Sequence, residues 1–566
     1  MAFDRTVDVL VVGSGAGGLV AGVRAAQHGA DVLLIEKGSL WGGTSATSGG
    51  GIWIPCSHIA AREGMQDDPD DAFQYIRALT AENVTDEQVR GYVEAAPRML
   101  EWLEARAGVE YGAVAYPDYY PEVPGSREGF RTHLPLQFHA REMAKGSFDT
   151  MQRAHPAASL WGRINWNMSE TQTVLFRPKG WMMTIARVLA GYYLDFPQRL
   201  RSPRDRRLTL GTALAGRLRK AFDDAGGKLE LNTALVSLID EGGEVRGAVI
   251  ERNGVRERIE ARRGVVLAAG GFERNRELRR KHLPIGDMPE ASGSQANNTG
   301  DALMEAVRLG AATRNMDSAW WAPSFRVPGE ERSRLSTAER ALPFSFMVNR
   351  KGDRYANEAL AYHRFGELMI ELEKAGEPVD PSWIIFDATY RARYPMGPVI
   401  PGIPDFALPA NVKQVLVKAS TLGELGKKIG IPPEKMEATA ARFNRMAIAG
   451  KDEDFGRGDA IYDRMYGDPR VQPNPTLGPV EKAPFYAFPI YLGDIGTNGG
   501  VVTDGRGRVL REDGSVIQGV YAIGNLAASV MGYSYPGAGS TLGPAMTFGY
   551  LAAGDVCGIN SDGREG

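Results

Sequence analysis

"VDVLVVGSGAGGLVAGVRAAQHGADVLLIE", residues 7–36, decides the fold. Its first six residues are apolar and β-rich, residues 16–28 turn Ala- and Gly-rich with helical character, and "DVLLIE" resumes as strand. Strand, turn, helix and second strand make one βαβ unit. Gly13, Gly15 and Gly18 take GxGxxG spacing across the turn, with Ser14 and Ala16 between them. That spacing lets the backbone turn tightly and bring a dinucleotide pyrophosphate to a helix N-terminus. A side chain at Gly13 is therefore expected to fill the pyrophosphate position. Glu36 ends the second strand 18 residues after Gly18, where a carboxylate accepts hydrogen bonds from ribose hydroxyls, and Lys37 comes next.

Working outward, the chain has 566 residues, too many for one core. Its composition, 43% hydrophobic and 24% charged, is that of a globular protein. A net charge of -3 gives no positive field for nucleic acid. The two cysteines, Cys56 and Cys557, lie at opposite ends and exclude a disulfide framework or a cysteine metal site; no metal is expected. A reducing cytoplasm fits, and no apolar run reaches the length of about 18–20 residues that spans a bilayer.

Two further apolar strands ending in glycine stand far along the chain. "GVVLAAGGF" at 264–272 comes after a charged hairpin-like stretch, and "GVYAIGN" at 519–525 lies near the C-terminus. Such strands suit a parallel sheet buried on both faces, so the cofactor domain is expected to be discontinuous. The expected organisation is 1–322 and 493–566 for the dinucleotide and an inserted α+β substrate domain at 323–492. Residues 177–220 stand apart, with eleven Lys or Arg against two acidic residues around "WMMTIARVLAGYYLDF". They read as a basic solvated face, with a peripheral membrane contact as the second reading.

The residues just beyond the first unit separate FAD from NAD. Residues 42–51, "GGTSATSGGG", offer Gly43, Thr44, Ser45, Ser48, Gly50 and Gly51, small enough for an extended cofactor to lie along their backbone. FAD is favoured, and since the block holds no histidine, its attachment is expected to be non-covalent. The C-terminal block adds Gly524 and Asn525 on a loop, then a Pro-Gly turn and a helix expected from near Ser540 that carries Leu542. That helix N-terminus would stabilise the charge of a reduced flavin. Leu235 and Gly270 complete the expected cofactor contacts. The fold class is thus α/β, a Rossmann-like FAD domain of glutathione-reductase type with an inserted domain.

Four stretches carry a resemblance: "GGTSATSGGGIWIP", "YPDYYPE" at 116–122, "GDRYANEALAY" at 352–362 and "YPGAGSTLGPAMTFGYLAA" at 535–553. The chain resembles the flavoproteins of the fumarate reductase and succinate dehydrogenase superfamily, and within it the 3-ketosteroid Δ1-dehydrogenases. The resemblance implies removal of hydrogens from C1 and C2 of a 3-ketosteroid A ring, with a quinone-like or dye electron acceptor. It implies that Tyr535 and the Gly539 amide hold the C3 carbonyl oxygen, that Tyr362 accepts the C2 proton and that Tyr119 assists it. Of the three tyrosines at 116–120, only the match to "PDY" selects Tyr119. His363, as the neighbour of Tyr362 in a strand, is expected to face away. Tyr533 adds a phenol before the turn, to tune substrate choice or to pack.

Rivals remain on the same fold. A reductase of small dicarboxylates or urocanate needs arginines to clamp carboxylates. The loop "GYSYPGAG" has none, although Arg354 and Arg364 lie near Tyr362. A Δ4-(5α)-3-ketosteroid dehydrogenase oxidises the neighbouring bond, and a flavin protein of pure electron transfer would not need this set of tyrosines.

Overall fold

The computed structural model describes residues 2–559, apart from 81, 83, 161 and 285–287. Strand Arg5–Val12 runs parallel to Val32–Ile35 on one side and to Val255–Leu267 on the other. Leu267 in turn pairs in parallel with Ala522 of strand Val516–Ala522, and Lys228–Glu230 extends the other edge. The three widely separated apolar runs therefore lie side by side, as their double-sided burial requires. Val9, Leu10, Val11 and all of Val32–Ile35 are buried, and each such side chain stabilises the sheet by about 1.5–3 kcal/mol. The charged stretch forms the antiparallel strands Thr233–Glu241 and Glu244–Arg252, whose hairpin continues into Val255–Leu267.

Helix Ala16–Gln27 packs against the C-terminal helix Leu542–Val556 through small residues. A Cβ on Gly17 would lie 2.7 Å from the Ala545 carbonyl oxygen, and one on Gly549 2.5 Å from that of Gly17. Any side chain at either glycine would force these helices apart, and with them the two chain ends that share the sheet.

A second, antiparallel sheet is built on the long strand Phe485–Thr497, which pairs with Ala319–Phe325, Ser382–Phe386 and Val417–Ala419. Positions 322/323 and 492/493 fall inside two strands of this second sheet, Ala319–Phe325 and Phe485–Thr497. Helix Tyr362–Lys374 lies across this sheet, with Gly366 against Trp321. Within the basic segment, helix Trp181–Tyr193 lies outside the main core over a small cluster of Ile164, Val188 and Tyr192, whereas helix Leu210–Asp224 packs into that core through Ala213, Leu214 and Leu218. Among the described residues, no helix is long and apolar enough to cross a membrane.

Candidate active site

One cavity of about 1520 Å³ runs between the two sheets. Every residue expected from the sequence to hold the cofactor lines it, and so do Tyr119, Tyr362, Tyr535 and Gly539. At one end Gly15 is the N-cap of helix Ala16–Gln27 and offers no side chain to the cap. A Cβ there would meet only Ser45 Oγ, at 3.4 Å, which leaves the space a pyrophosphate needs. Gly13 behaves differently. With φ at +109°, its added Cβ would lie 2.4 Å from the Ala268 carbonyl oxygen, inside the sheet rather than in the cavity. The expectation that a Gly13 side chain fills the pyrophosphate position is therefore corrected: it would collide with the next strand.

Glu36 is buried and held in place, accepting from Ser14 Oγ at 2.6 Å and from the Gly38 amide at 2.9 Å. Ser45 Oγ accepts from the Ala16 amide at 3.0 Å and so closes part of the helix end itself. Thr44 Oγ1 accepts from the Gln295 amide and from Asn298 Nδ2, two cavity residues that no motif announced. The C-terminal helix begins at Leu542, close to the start expected near Ser540. Ser540 closes the preceding turn, accepting from the Gly537 amide at 3.0 Å. Thr541, the N-cap, makes no side-chain capping bond, and its hydroxyl donates to Tyr535 Oη at 3.0 Å.

The tyrosines come from three distant parts of the chain and meet at the other end of the cavity. Tyr535 stacks on Tyr119 with ring centres 5.6 Å apart, and Tyr362 stands edge-on to both, at 5.4 Å from each. Tyr462 adds an edge contact to Tyr119 at 5.0 Å, and the Tyr116 hydroxyl bonds to that of Tyr466. Tyr462, Tyr466 and Tyr116 extend the phenols beyond the set drawn from the motifs. Burial pushes the phenols of Tyr119 and Tyr362 well above the ordinary tyrosine value; neighbouring phenols push Tyr119 further up, whereas at Tyr362 the upward push of Tyr535 is opposed by the hydrogen bond with Tyr119. Burial also raises Tyr535, but the Thr541 hydroxyl, the neighbouring Tyr362 and the amides of Gly539 and Thr541 pull it back. The Gly539 amide and the Tyr535 hydroxyl thus converge on one region. Gly539 has φ at +106°, and a Cβ there would lie 2.4 Å from the Ile52 carbonyl carbon, so only glycine fits.

His363 stays outside the cavity, for another reason than the one expected. Tyr362 opens a helix, not a strand, and His363 points from it toward the substrate sheet. Its Nδ1 accepts from the Trp321 amide at 3.1 Å and its Nε2 pairs with the Tyr533 carbonyl at 2.9 Å, anchoring the loop that leads to Tyr535. Tyr533 itself turns outward and donates to Asp317 at 3.0 Å; it does not line the cavity. The two arginines near Tyr362 are spent elsewhere. Arg354 pairs with Glu358 at 2.8 Å and Asp452 at 2.9 Å in a buried cluster, and Arg364 pairs with Glu122 at the surface. Arg334, which does line the cavity, is committed to both oxygens of Glu330. Beside the tyrosines the site is aromatic, a setting for a flat apolar ring rather than for a dicarboxylate.

The FAD binding domain family matches residues 8–542. A 3-oxosteroid 1-dehydrogenase of Mycobacterium tuberculosis is 40% identical over 560 residues, covering 96% of this chain and 97% of that protein. The crystal structure of 3-ketosteroid delta1-dehydrogenase from Sterolibacterium denitrificans, in complex with 1,4-androstadiene-3,17-dione, superposes with a TM-score of 0.93 at 42% identity, covering 98% of this chain and 99% of that one. A 3-ketosteroid-delta4-(5alpha)-dehydrogenase from Rhodococcus jostii shares the fold, with a TM-score of 0.67 at 21% identity over 98% of both chains. An FAD cradle and a tyrosine cluster in one cavity, with these likenesses over nearly the whole length, place the chain in the FAD-binding oxidoreductases, in the family of the 3-ketosteroid Δ1-dehydrogenases.

Proposed function

We propose that the protein desaturates the C1–C2 bond of the A ring of 3-ketosteroids. The observation that carries this reading is the meeting of Tyr119, Tyr362, Tyr535 and Gly539 in the cavity that also contains the glycine cradle. FAD, when bound, supplies the acceptor for the C1 hydride. Tyr535 Oη and the Gly539 amide donate to the C3 carbonyl oxygen, which makes the C2 proton removable because the developing enolate charge has donors waiting for it. The Thr541 hydroxyl donates to Tyr535 Oη, so the phenol keeps its own proton for the substrate. Tyr362 takes the C2 proton. Its raised pKa disfavours a standing phenolate, so the proton moves onward through the phenols that begin at Tyr119.

In this reading sections 1–322 and 493–566 hold a non-covalent FAD along Gly43–Gly51 and the Leu542 helix, while 323–492 supplies Tyr362 and the substrate wall. The uncapped N-terminus of that helix faces the cavity and favours the anionic charge of a reduced flavin. Electrons leave to a quinone-like acceptor. The deciding experiment incubates the enzyme anaerobically with a 4-ene and with a 5α-reduced 3-ketosteroid and identifies the products. A new C1–C2 double bond in both supports the reading; a C4–C5 double bond as the sole product of the 5α-reduced steroid overturns it in favour of Δ4 chemistry.

Tyr535→Phe keeps the ring stack on Tyr119 and removes only the donor. We expect kcat to fall about 10²–10³-fold with flavin content unchanged, the size typical of one lost oxyanion donor. Steady-state kinetics beside a flavin absorbance measurement checks this, and an unimpaired Phe variant would contradict the assignment.

We further infer a cytoplasmic protein that touches membranes through the basic segment. Met182, Met183, Leu194 and Leu200 are 68%, 74%, 67% and 89% exposed there, next to Lys179, Arg187 and Arg201. Trp181 and Ile185 of the same segment, with Phe176 just before it, line the cavity, so an apolar steroid has a route from lipid to the site. Vesicles of anionic phospholipid should carry the enzyme upward in flotation and release it at high salt. Protein that stays wholly in the soluble fraction rules the contact out.

A further inference from the structure

The turn that carries Tyr535 and Gly539 does not hold its own shape; it lies on the short strand Ile52–Trp53. Gly539 rests on the Ile52 backbone, and a Cβ on Gly537 would lie 2.4 Å from Trp53 Cδ1. Trp53 is fully buried, and its Nε1–H donates to Asp118 Oδ1 at 2.7 Å. The other oxygen of Asp118, a residue 1% exposed, accepts from the Arg127 amide at 2.9 Å and from Arg131 Nη1 at 2.8 Å. The next residue in the chain is Tyr119, whose amide donates to the Pro536 carbonyl at 2.8 Å. The Tyr75 hydroxyl donates to that same carbonyl at 2.7 Å and accepts from the Tyr120 amide at 3.2 Å. Two stretches far apart in sequence, one bearing Tyr119 and the other Tyr535, are thus joined by buried hydrogen bonds at the Pro536 carbonyl, with Trp53 packed against Gly537.

A buried carboxylate and guanidinium are costly to desolvate, and apolar residues of similar volume would often stabilise a wall as well or better. What the polar set adds is direction: Asp118 fixes the indole edge of Trp53, while the Tyr119 amide and the Tyr75 hydroxyl both end on the Pro536 carbonyl, next to Tyr535. We propose that Trp53, Asp118 and Tyr75 are positioning residues, a clamp that sets the carbonyl-binding turn against Tyr119. The clamp rests on the roles given above to Tyr535 and Gly539. It acts through them and touches no substrate itself. Because reacting groups displaced by about 1 Å lose about a hundredfold in rate, loosening the clamp appears in the chemical step rather than in binding.

Trp53→Phe removes the indole N–H and keeps a ring; Tyr75→Phe removes one hydroxyl. Both are tested as FAD-loaded enzymes beside Tyr535→Phe. We expect wild-type flavin content, KM within about twofold and kcat lowered about ten- to a hundredfold, with anaerobic exchange of the C2 proton into heavy water falling in step. Single variants that are folded and flavin-loaded, with kcat and exchange within twofold of wild type, overturn the clamp. So does a fall in kcat with exchange unchanged, because the turn would then still activate the C2 proton. If Trp53→Phe does not accumulate, Tyr75→Phe decides alone. A Tyr535→Phe enzyme with full activity would instead remove the reading beneath the clamp, so the two failures are told apart.

Discussion

Tyr362→Phe is expected to lower kcat about 10²–10⁴-fold, the range for losing a general base, while flavin and steroid remain bound. The phenyl ring keeps its edge contacts to Tyr119 and Tyr535, so the site retains its shape and loses only the oxygen that takes the C2 proton. Exchange of the C2 proton with solvent should stop with turnover; exchange at the normal rate would mean another group is the base. The pH dependence has a definite sign. Burial holds the Tyr362 phenol well above its ordinary value, so the proton-accepting form gains population only as pH rises. In the wild-type enzyme kcat/KM should therefore climb across the alkaline range, and the residual activity of the Phe variant should lose that climb. Since several phenols are in contact, the apparent value belongs to the array rather than to one residue.

The βαβ unit at 7–36 and the later strands at 264–272 and 519–525 were legible because parallel strands buried on both faces are continuous apolar runs that end in glycine. The start of a helix at Tyr362 was also written in the chain. Tyr362, Phe365, Gly366, Met369 and Ile370 repeat at helical spacing and are the buried face of that helix. Reading the stretch as strand gave His363 the wrong reason for facing away. Arg354 and Glu358 stand four apart, but residues 353–361 form no helix, so that spacing does not by itself pair them; the folding of the loop does. Tyr462 and Tyr466 share that spacing, yet their approach to Tyr119 and Tyr116 depends on the packing of the inserted section on the cofactor section. The pairing of Asp118 with Trp53 lay beyond sequence reading for the same reason: nothing local to either residue names the other.

Gly15→Val and Gly13→Val should fail in different ways, although both strike the same fingerprint. At Gly15 the backbone is extended, with φ at -67° and ψ at 173°, a conformation that valine adopts freely, and the new side chain points into the cavity with only Ser45 Oγ nearby. The sheet and both helices are untouched. We expect a folded protein with a native far-ultraviolet dichroism spectrum, no yellow colour and no turnover, because branched carbon occupies the pyrophosphate space at the helix end. At Gly13 the added carbon would meet the Ala268 carbonyl oxygen at 2.4 Å and the Ala268 carbonyl carbon at 2.7 Å, and the backbone is left-handed at φ +109°. That position lies between strands Arg5–Val12 and Val255–Leu267, so relief requires the sheet itself to open. We expect Gly13→Val to lower the melting temperature or leave the chain insoluble, with cofactor loss as a consequence. Added FAD checks the cause at Gly15: it should stabilise wild type against heat by mass action and leave Gly15→Val unchanged. A Gly15→Val enzyme that purifies yellow would show that the pyrophosphate lies elsewhere, and a well-folded, flavin-free Gly13→Val would show that the strand gives way more easily than its packing implies.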